Sequence, residues 1–251
     1  MTTARAPQRV DGWTAAVRQR LGLGRLLPLG EPANGVWIAE TAAAAVLRGA
    51  TNRRGTVLGK LRIGPTEEAV EAAVAGSRGE SRDPAEPVSP PAPPNALPPV
   101  PLRIEAEFST TPDRPLPDAA AALRTALLAA ATARLGLEVA EVDLVVTALL
   151  EDGTPDQVTA AETAPAARVA EPEGAVATAA AGVPGVVSLT RVLGGPVHTA
   201  PDHVRVEVAT AGDHRALDVA RSVRTAVAAA MADPLPVSVL VTDVVEPGSG
   251  S

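Results

Sequence analysis

Residues 102–127 read LRIEAEFSTTPDRPLPDAAAALRTAL, and residues 204–227 read VRVEVATAGDHRALDVARSVRTAV. Each stretch opens with strict alternation. Leu102, Ile104, Ala106 and Phe108 share one face against Arg103, Glu105 and Glu107, and Val204, Val206 and Val208 oppose Arg205 and Glu207. A period of two is the pattern of a half-buried strand. Each stretch then changes period. Leu116, Ala120, Leu123, Leu127 and Ala131 recur at helical spacing, as do Ala216, Val219, Ala220, Val223, Val227, Ala230 and Met231. Asp113 and Asp213 stand where a helix N-cap is expected, and Asp118 and Asp218 fall near the first turn, where a carboxylate suits the helix dipole. Gly136 stops the first helix and Asp233-Pro234 the second.

The echo continues downstream, where VDLVVTALL (142–150) resembles VSVLVTDVV (237–245). Val142, Leu144 and Val146, or Val237, Val239 and Val241, line one face of a last strand. Its other face keeps Val145 in the first copy and Leu240 and Val244 in the second. Apolar residues on both faces mark a central strand or an interface. Three segments kept in the same order with the same periods point to an internal duplication. Upstream, GVWIAETAAAAVLRGA (35–50) reads as a helix and TVLGKLRI (56–63) as a strand; AVATAAAG (175–182) and GVVSLTRVL (185–193) repeat that pair. The expected fold class is therefore α/β, of the α+β type. It has two tandem α-β-β-α-β modules, each a mixed three-stranded sheet with helices on one face. The first two strands of a module can form a hairpin, whereas the last two need the helix as a crossover and run parallel.

The expected boundaries are an N-terminal amphipathic segment at 1–34, module one at 35–150, a linker at 151–170, module two at 171–247 and a tail at 248–251. Module one carries a Pro-rich insert at 65–99, including PAEPVSPPAPPNALPPVP, where proline removes donors and favours extended conformation. Aromatic residues are only 1% of the chain (Trp13, Trp37 and Phe108), so the core is built from Val, Leu and Ala. Small side chains bury little area each, and two such modules are expected to cover each other or another chain. The absence of cysteine excludes disulfides, thiol nucleophiles and thiolate metal sites. A net charge of −7 gives no global field that attracts nucleic acid, and no DNA partner is expected. MTTARAPQRVDGW has no apolar core of a secretory leader.

The stretch VRVEVATAGDHRALDVARSVRTAVAAAMADPLPVSVLVTDVV resembles the second half of an alkaline shock protein module, a family of bacterial envelope stress response proteins. The shared pattern is a helix, a glycine-led strand like GVPGVVSL, a Val-rich strand, a helix near VARSVRTAV and a final valine-rich strand. It covers 171–246 well and 35–150 more distantly. The N-terminal DGWTAAVRQRLGLGRLLPLGEPANGVWIAE is similar to an uncharacterised actinobacterial group associated with that family. The resemblance implies a non-enzymatic interaction or scaffolding protein of the cytoplasm, without cofactor. Its implied partner is a protein, such as a small membrane-anchored one at the inner face of the membrane. It also implies self-association in some members. A fused pair of modules departs from the usual single one and is able to satisfy its own surfaces.

Several chemical readings compete with that one. His198, His203 and His214, with Asp202 and Asp213, match no standard ligand spacing. No G-x-S-x-G surrounds Ser188, Ser222 or Ser238. LGLGRL (21–26) lacks the preceding strand of a nucleotide-binding loop. The alternative function is a KH-like module binding single-stranded nucleic acid, to which GVPG (182–185) lends its glycine spacing. It lies, however, between a helix and a strand rather than between two helices. Trp13, Val17 and Leu21 line one side of a short helix with arginines nearby, which suits peripheral membrane contact, a partner groove or docking on the chain's own core. The candidate interaction surface is Trp13, Val145, Leu240 and Val244, with packing of the two modules on each other as the competing explanation for all four.

Overall fold

The protein is represented by a computed structural model that describes residues 22–31, 35–52, 55–76, 90–151 and 168–246. Trp13, the middle of the Pro-rich insert, most of the linker and the tail lie outside the described residues. The strands are β1 (Leu26–Pro28), β2 (Val36–Ala39), β3 (Thr56–Pro65), β4 (Leu102–Thr110), β5 (Val139–Leu149), β6 (Val169–Ala170), β7 (Val186–Thr190), β8 (Val197–Thr199), β9 (Val204–Ala211) and β10 (Val237–Val245). The helices are α1 (Glu40–Thr51), α2 (Glu67–Gly76), α3 (Leu116–Ala130), α4 (Gly174–Ala181) and α5 (Ala216–Ala230); α3 runs on through one π-helical turn, Ala131–Leu135.

The fold is α+β, with both copies wound alike. In copy one, β3 pairs antiparallel with β4, and β4 pairs parallel with β5 across the α3 crossover. In copy two, β7 and β8 both pair antiparallel with β9, and β9 pairs parallel with β10 across α5. Alternation explains the inward faces: Leu102, Ile104, Ala106 and Phe108 are buried, as are Val204, Val206 and Val208. Pairing also refines the echo. Ile104 lies opposite Val142 and Val206 opposite Val239, so the last strands correspond two residues further on than their sequences align. A two-residue slip keeps every side chain on its face.

The expectation of two equal three-stranded sheets holds only for copy one, whose sheet is β3-β4-β5. The other sheet has seven strands, ordered β1-β2-β10-β9-β7-β6 with β8 also on β9. The reason is local. Residues 36–39 were expected to begin a helix, but VWIA forms β2 along β10, with Val36, Trp37 and Ile38 opposite Val239, Leu240 and Val241. These β-branched and aromatic side chains are all buried there, and strand packing overrides the helical reading. The chain turns helical at Glu40. β1 and β2, assigned from sequence to the terminal segment and the start of module one, thus belong to the sheet of module two.

Smaller departures have similar causes. Helices α3 and α5 begin after Pro115 and Arg215 without a side-chain cap, so Asp113 and Asp213 are not N-caps, while Asp118 and Asp218 do sit in the first turns. The expected hairpin loop after residue 193 contains β8, and the expected strand 185–193 ends at Thr190. The described parts of the insert include α2 and a return segment that meets β1. There Leu26 N–H donates to Asn95 O at 3.1 Å and Leu97 N–H to Leu26 O at 2.8 Å.

The two copies share one continuous core. Helix α1 lies between them, touching β10, α3 and β3. Its first residue, Glu40, accepts hydrogen bonds from the Arg25 side chain (3.1 and 3.2 Å) and from Ile63 N–H (3.0 Å), so one carboxylate ties the N-terminal segment, α1 and β3 together. Burial by itself raises the Glu40 pKa, but the hydrogen bonds from Arg25 and from the Ile63 and Arg25 amides outweigh it and hold the carboxyl below its ordinary value. At the far end of α3, Gly136 ends the π turn at φ 85°, where a Cβ would come within 2.6 Å of the Leu217 Cβ. Only glycine fits both the left-handed backbone and that approach.

Candidate functional site

The last strands of the two copies meet different fates. β5 is an edge strand, paired with β4 on one side and with no strand among the described residues on the other. Val145 is 59% exposed, Leu149 58% and Val146 39%. β10 lies between β9 and β2, and Leu240 is fully buried. Of the expected interaction surface, Val145 is therefore open. Leu240 and Val244 are a correction: both are buried, because β2 and the chain's own covering segments occupy the ground around β10. Trp13 lies outside the described residues.

The outward faces of β4 and β9 carry the duplicated Arg-x-Glu. In copy one that face is open. Arg103 is ion-paired with Asp143, with Glu67 at 3.2 Å, Glu105 at 3.7 Å and Glu141 at 3.8 Å. The hydrogen bond to Asp143, ahead of the other carboxylates, raises the Arg103 pKa above its ordinary value. Val145, Arg103, Glu105 and Asp143 line a shallow groove of about 280 Å³ together with Lys60, Arg62 and Glu107.

In copy two the same face is closed over. Glu207 is fully buried and accepts hydrogen bonds from Val192 N–H (2.6 Å) and Leu193 N–H (3.1 Å). These donors lie where the strand equivalent to β3 breaks between β7 and β8, so the carboxylate holds the break folded against the sheet. Two buried hydroxyls, Thr190 on β7 and Thr242 on β10, pair at 2.8 Å although β9 lies between those strands in the sheet order. Leu23, Gly24, Leu26, Pro94 and Asn95 meet Leu193, His198 and Arg205 around a cavity of about 240 Å³. The seven-stranded sheet therefore curls over its own outward face.

The other candidates resolve into local structure. His203 Nδ1 lies 2.8 Å from Asp202, and His214 Nδ1 lies 2.8 Å from Asp213. Each contact lowers the pKa of its aspartate, first through the hydrogen bond from the imidazole. Among the described residues no three His, Asp or Glu side chains converge as a metal site. Ser222 donates to Asp218 O at 3.0 Å and Ser238 to Val204 O at 3.4 Å, so both hydroxyls serve the backbone. In GVPG, Gly185 has φ 88°, and a Cβ there would meet Val219 at 2.7 Å; its carbonyl accepts Ala211 N–H at 2.8 Å. The turn is a packing joint between α4, β7 and α5. Among the described residues no helix is long and apolar enough to cross a membrane.

Arg205 and Glu207 were legible as an outward pair but not as a buried one. One signal was available: the last strand of copy one carries Glu141 and Asp143, whereas that of copy two opens VSVLVT without a carboxylate before Asp243. No family model, curated protein or solved structure matches the chain.

Proposed function

We propose that the chain is a non-enzymatic interaction protein that uses β5 to bind a protein partner, in the manner of the envelope stress response proteins it resembles. The observation that carries this reading is the β5 edge, unpaired among the described residues, with Val145, Val146 and Leu149 exposed along the strand. Exposed edge strands invite pairing, and natural proteins usually blunt them with charge, proline or a cover. β5 has acidic residues in its first half, Glu141 and Asp143, and none after them up to Leu149. A strand of the same topology in copy two takes β2 on its outer edge in parallel register, which supports strand addition as the mode of binding. A cytoplasmic position near the inner face of the membrane, with a small membrane-anchored protein as partner, follows from the family resemblance.

The experiment compares the full chain with a Val145→Lys, Leu149→Lys double variant. Both sites are exposed, so stability should change by no more than about 0.5 kcal/mol per site. The expected result is a defined partner retained from native extract by the wild type and lost by the variant. Sedimentation of the purified protein tells whether that partner is a second copy. Identical captures and identical sedimentation for the two proteins would sink the reading.

A further inference from the structure

We infer that the cavity under the outward face of β9 is a binding site for a small carboxylate with an apolar body, held by Arg205. The Arg205 side chain is 13% exposed, and its Nε is buried without an acceptor. Its charge neighbour is Glu207, at 3.6 Å from one terminal nitrogen, beyond hydrogen-bond length. That carboxylate is already committed to the amides of Val192 and Leu193. Leaving that Nε–H donor unserved in a buried setting is costly. The cavity beside it measures about 240 Å³ and joins Arg205, His198 and Asn95 to the apolar walls of Leu26, Pro94 and Leu193.

The duplication identifies the missing group. Arg103 occupies the equivalent place on β4 and is served by carboxylates, with Glu141 opposite it and Asp143 opposite Glu105. On β10 those two register positions hold Ser238, opposite Arg205, and Leu240, opposite Glu207. Copy two thus has the arginine without those two carboxylates on its last strand. A planar guanidinium matches a carboxylate in geometry as well as charge. An incoming carboxylate would replace what the sheet no longer supplies, and its body would lie against leucine and proline. The volume falls just below the about 300–1,000 Å³ usual for ligand pockets, which fits a short-chain acid rather than a nucleotide or peptide.

The test titrates hexanoate and its uncharged isostere hexanamide into the full chain, by calorimetry and by following arginine Nε–H signals in NMR. The Arg205 signal is assigned by its loss in Arg205→Lys. Hexanoate is expected to bind, with hexanamide at least about tenfold weaker, and to shift the Arg205 signal. Arg205→Lys keeps the charge but not the fork, and Leu193→Trp fills the cavity without touching the arginine. Each should weaken hexanoate by about tenfold or more while still unfolding cooperatively. Equal affinity for acid and amide, an unmoved Arg205 signal, undiminished binding in both variants, or no saturable binding up to about 10 mM would each overturn the assignment.

Discussion

Glu105 and Glu207 hold the same place in the two copies, two residues after an arginine on the outward face of the middle strand. One lies on an open charged surface and the other is sealed under a folded-back loop. Their neighbours diverge in step: among the described residues β5 has an unpaired edge, and β10 is flanked on both sides. The lesson is that one local pattern supports two economies of charge. In water, Arg103 shares four acidic neighbours, each contributing little. Under cover, Glu207 serves two backbone amides.

The largest expected break in that symmetry is Glu207→Ala against Glu105→Ala. Losing Glu207 strands two amides and leaves Arg205 beside an empty space, so unfolding free energy should fall by about 3–5 kcal/mol. Glu105→Ala should stay within about 0.5 kcal/mol. Urea denaturation of both variants reads the difference, and comparable losses would mean that the outward face of copy two is not closed as described.

Next comes Leu240→Ala against Leu149→Ala. Leu240 is fully buried and Leu149 is 58% exposed. The first should cost about 2–4 kcal/mol through lost contacts and a residual cavity, the second less than about 1 kcal/mol. A monomer insensitive to Leu240→Ala would return that residue to the candidate interaction surface.

The smallest effect concerns Glu40, which joins the copies rather than distinguishing them. Its carboxyl pKa is lowered in the folded protein, so the group contributes stability above its ordinary value of 4.5, and that contribution fades as pH falls through the lower folded value. Glu40→Gln should be destabilised relative to wild type at neutral pH, with the gap narrowing below about pH 4.5. Thermal melts at a series of pH values check the sign. A gap that widens on acidification would contradict the Arg25–Glu40–Ile63 arrangement.

Much of the architecture could be read from single residues. The alternations at Leu102–Phe108 and Val204–Val208 and the helical spacing from Leu116 and from Ala216 are local patterns, and they became β4, β9, α3 and α5. The edge character of Val145 was half legible, since apolar residues on both faces of its strand suit either a central strand or an interface. Nothing local said which of the two last strands would be covered.

Backbone period follows from the sequence alone, because it depends on residues within one turn or one strand of each other; the order of the two copies and the Val, Leu and Ala of the core follow from residue identity, whatever the chain later packs against. The tertiary structure decided that VWIA would be a strand, that Leu240 would be interior and that Glu207 would be a buried acceptor while Glu105 faces water. Those outcomes depend on which distant segment arrives at an edge or a face. Burial and pairing free energies are then large enough to outweigh the local preference of a few residues.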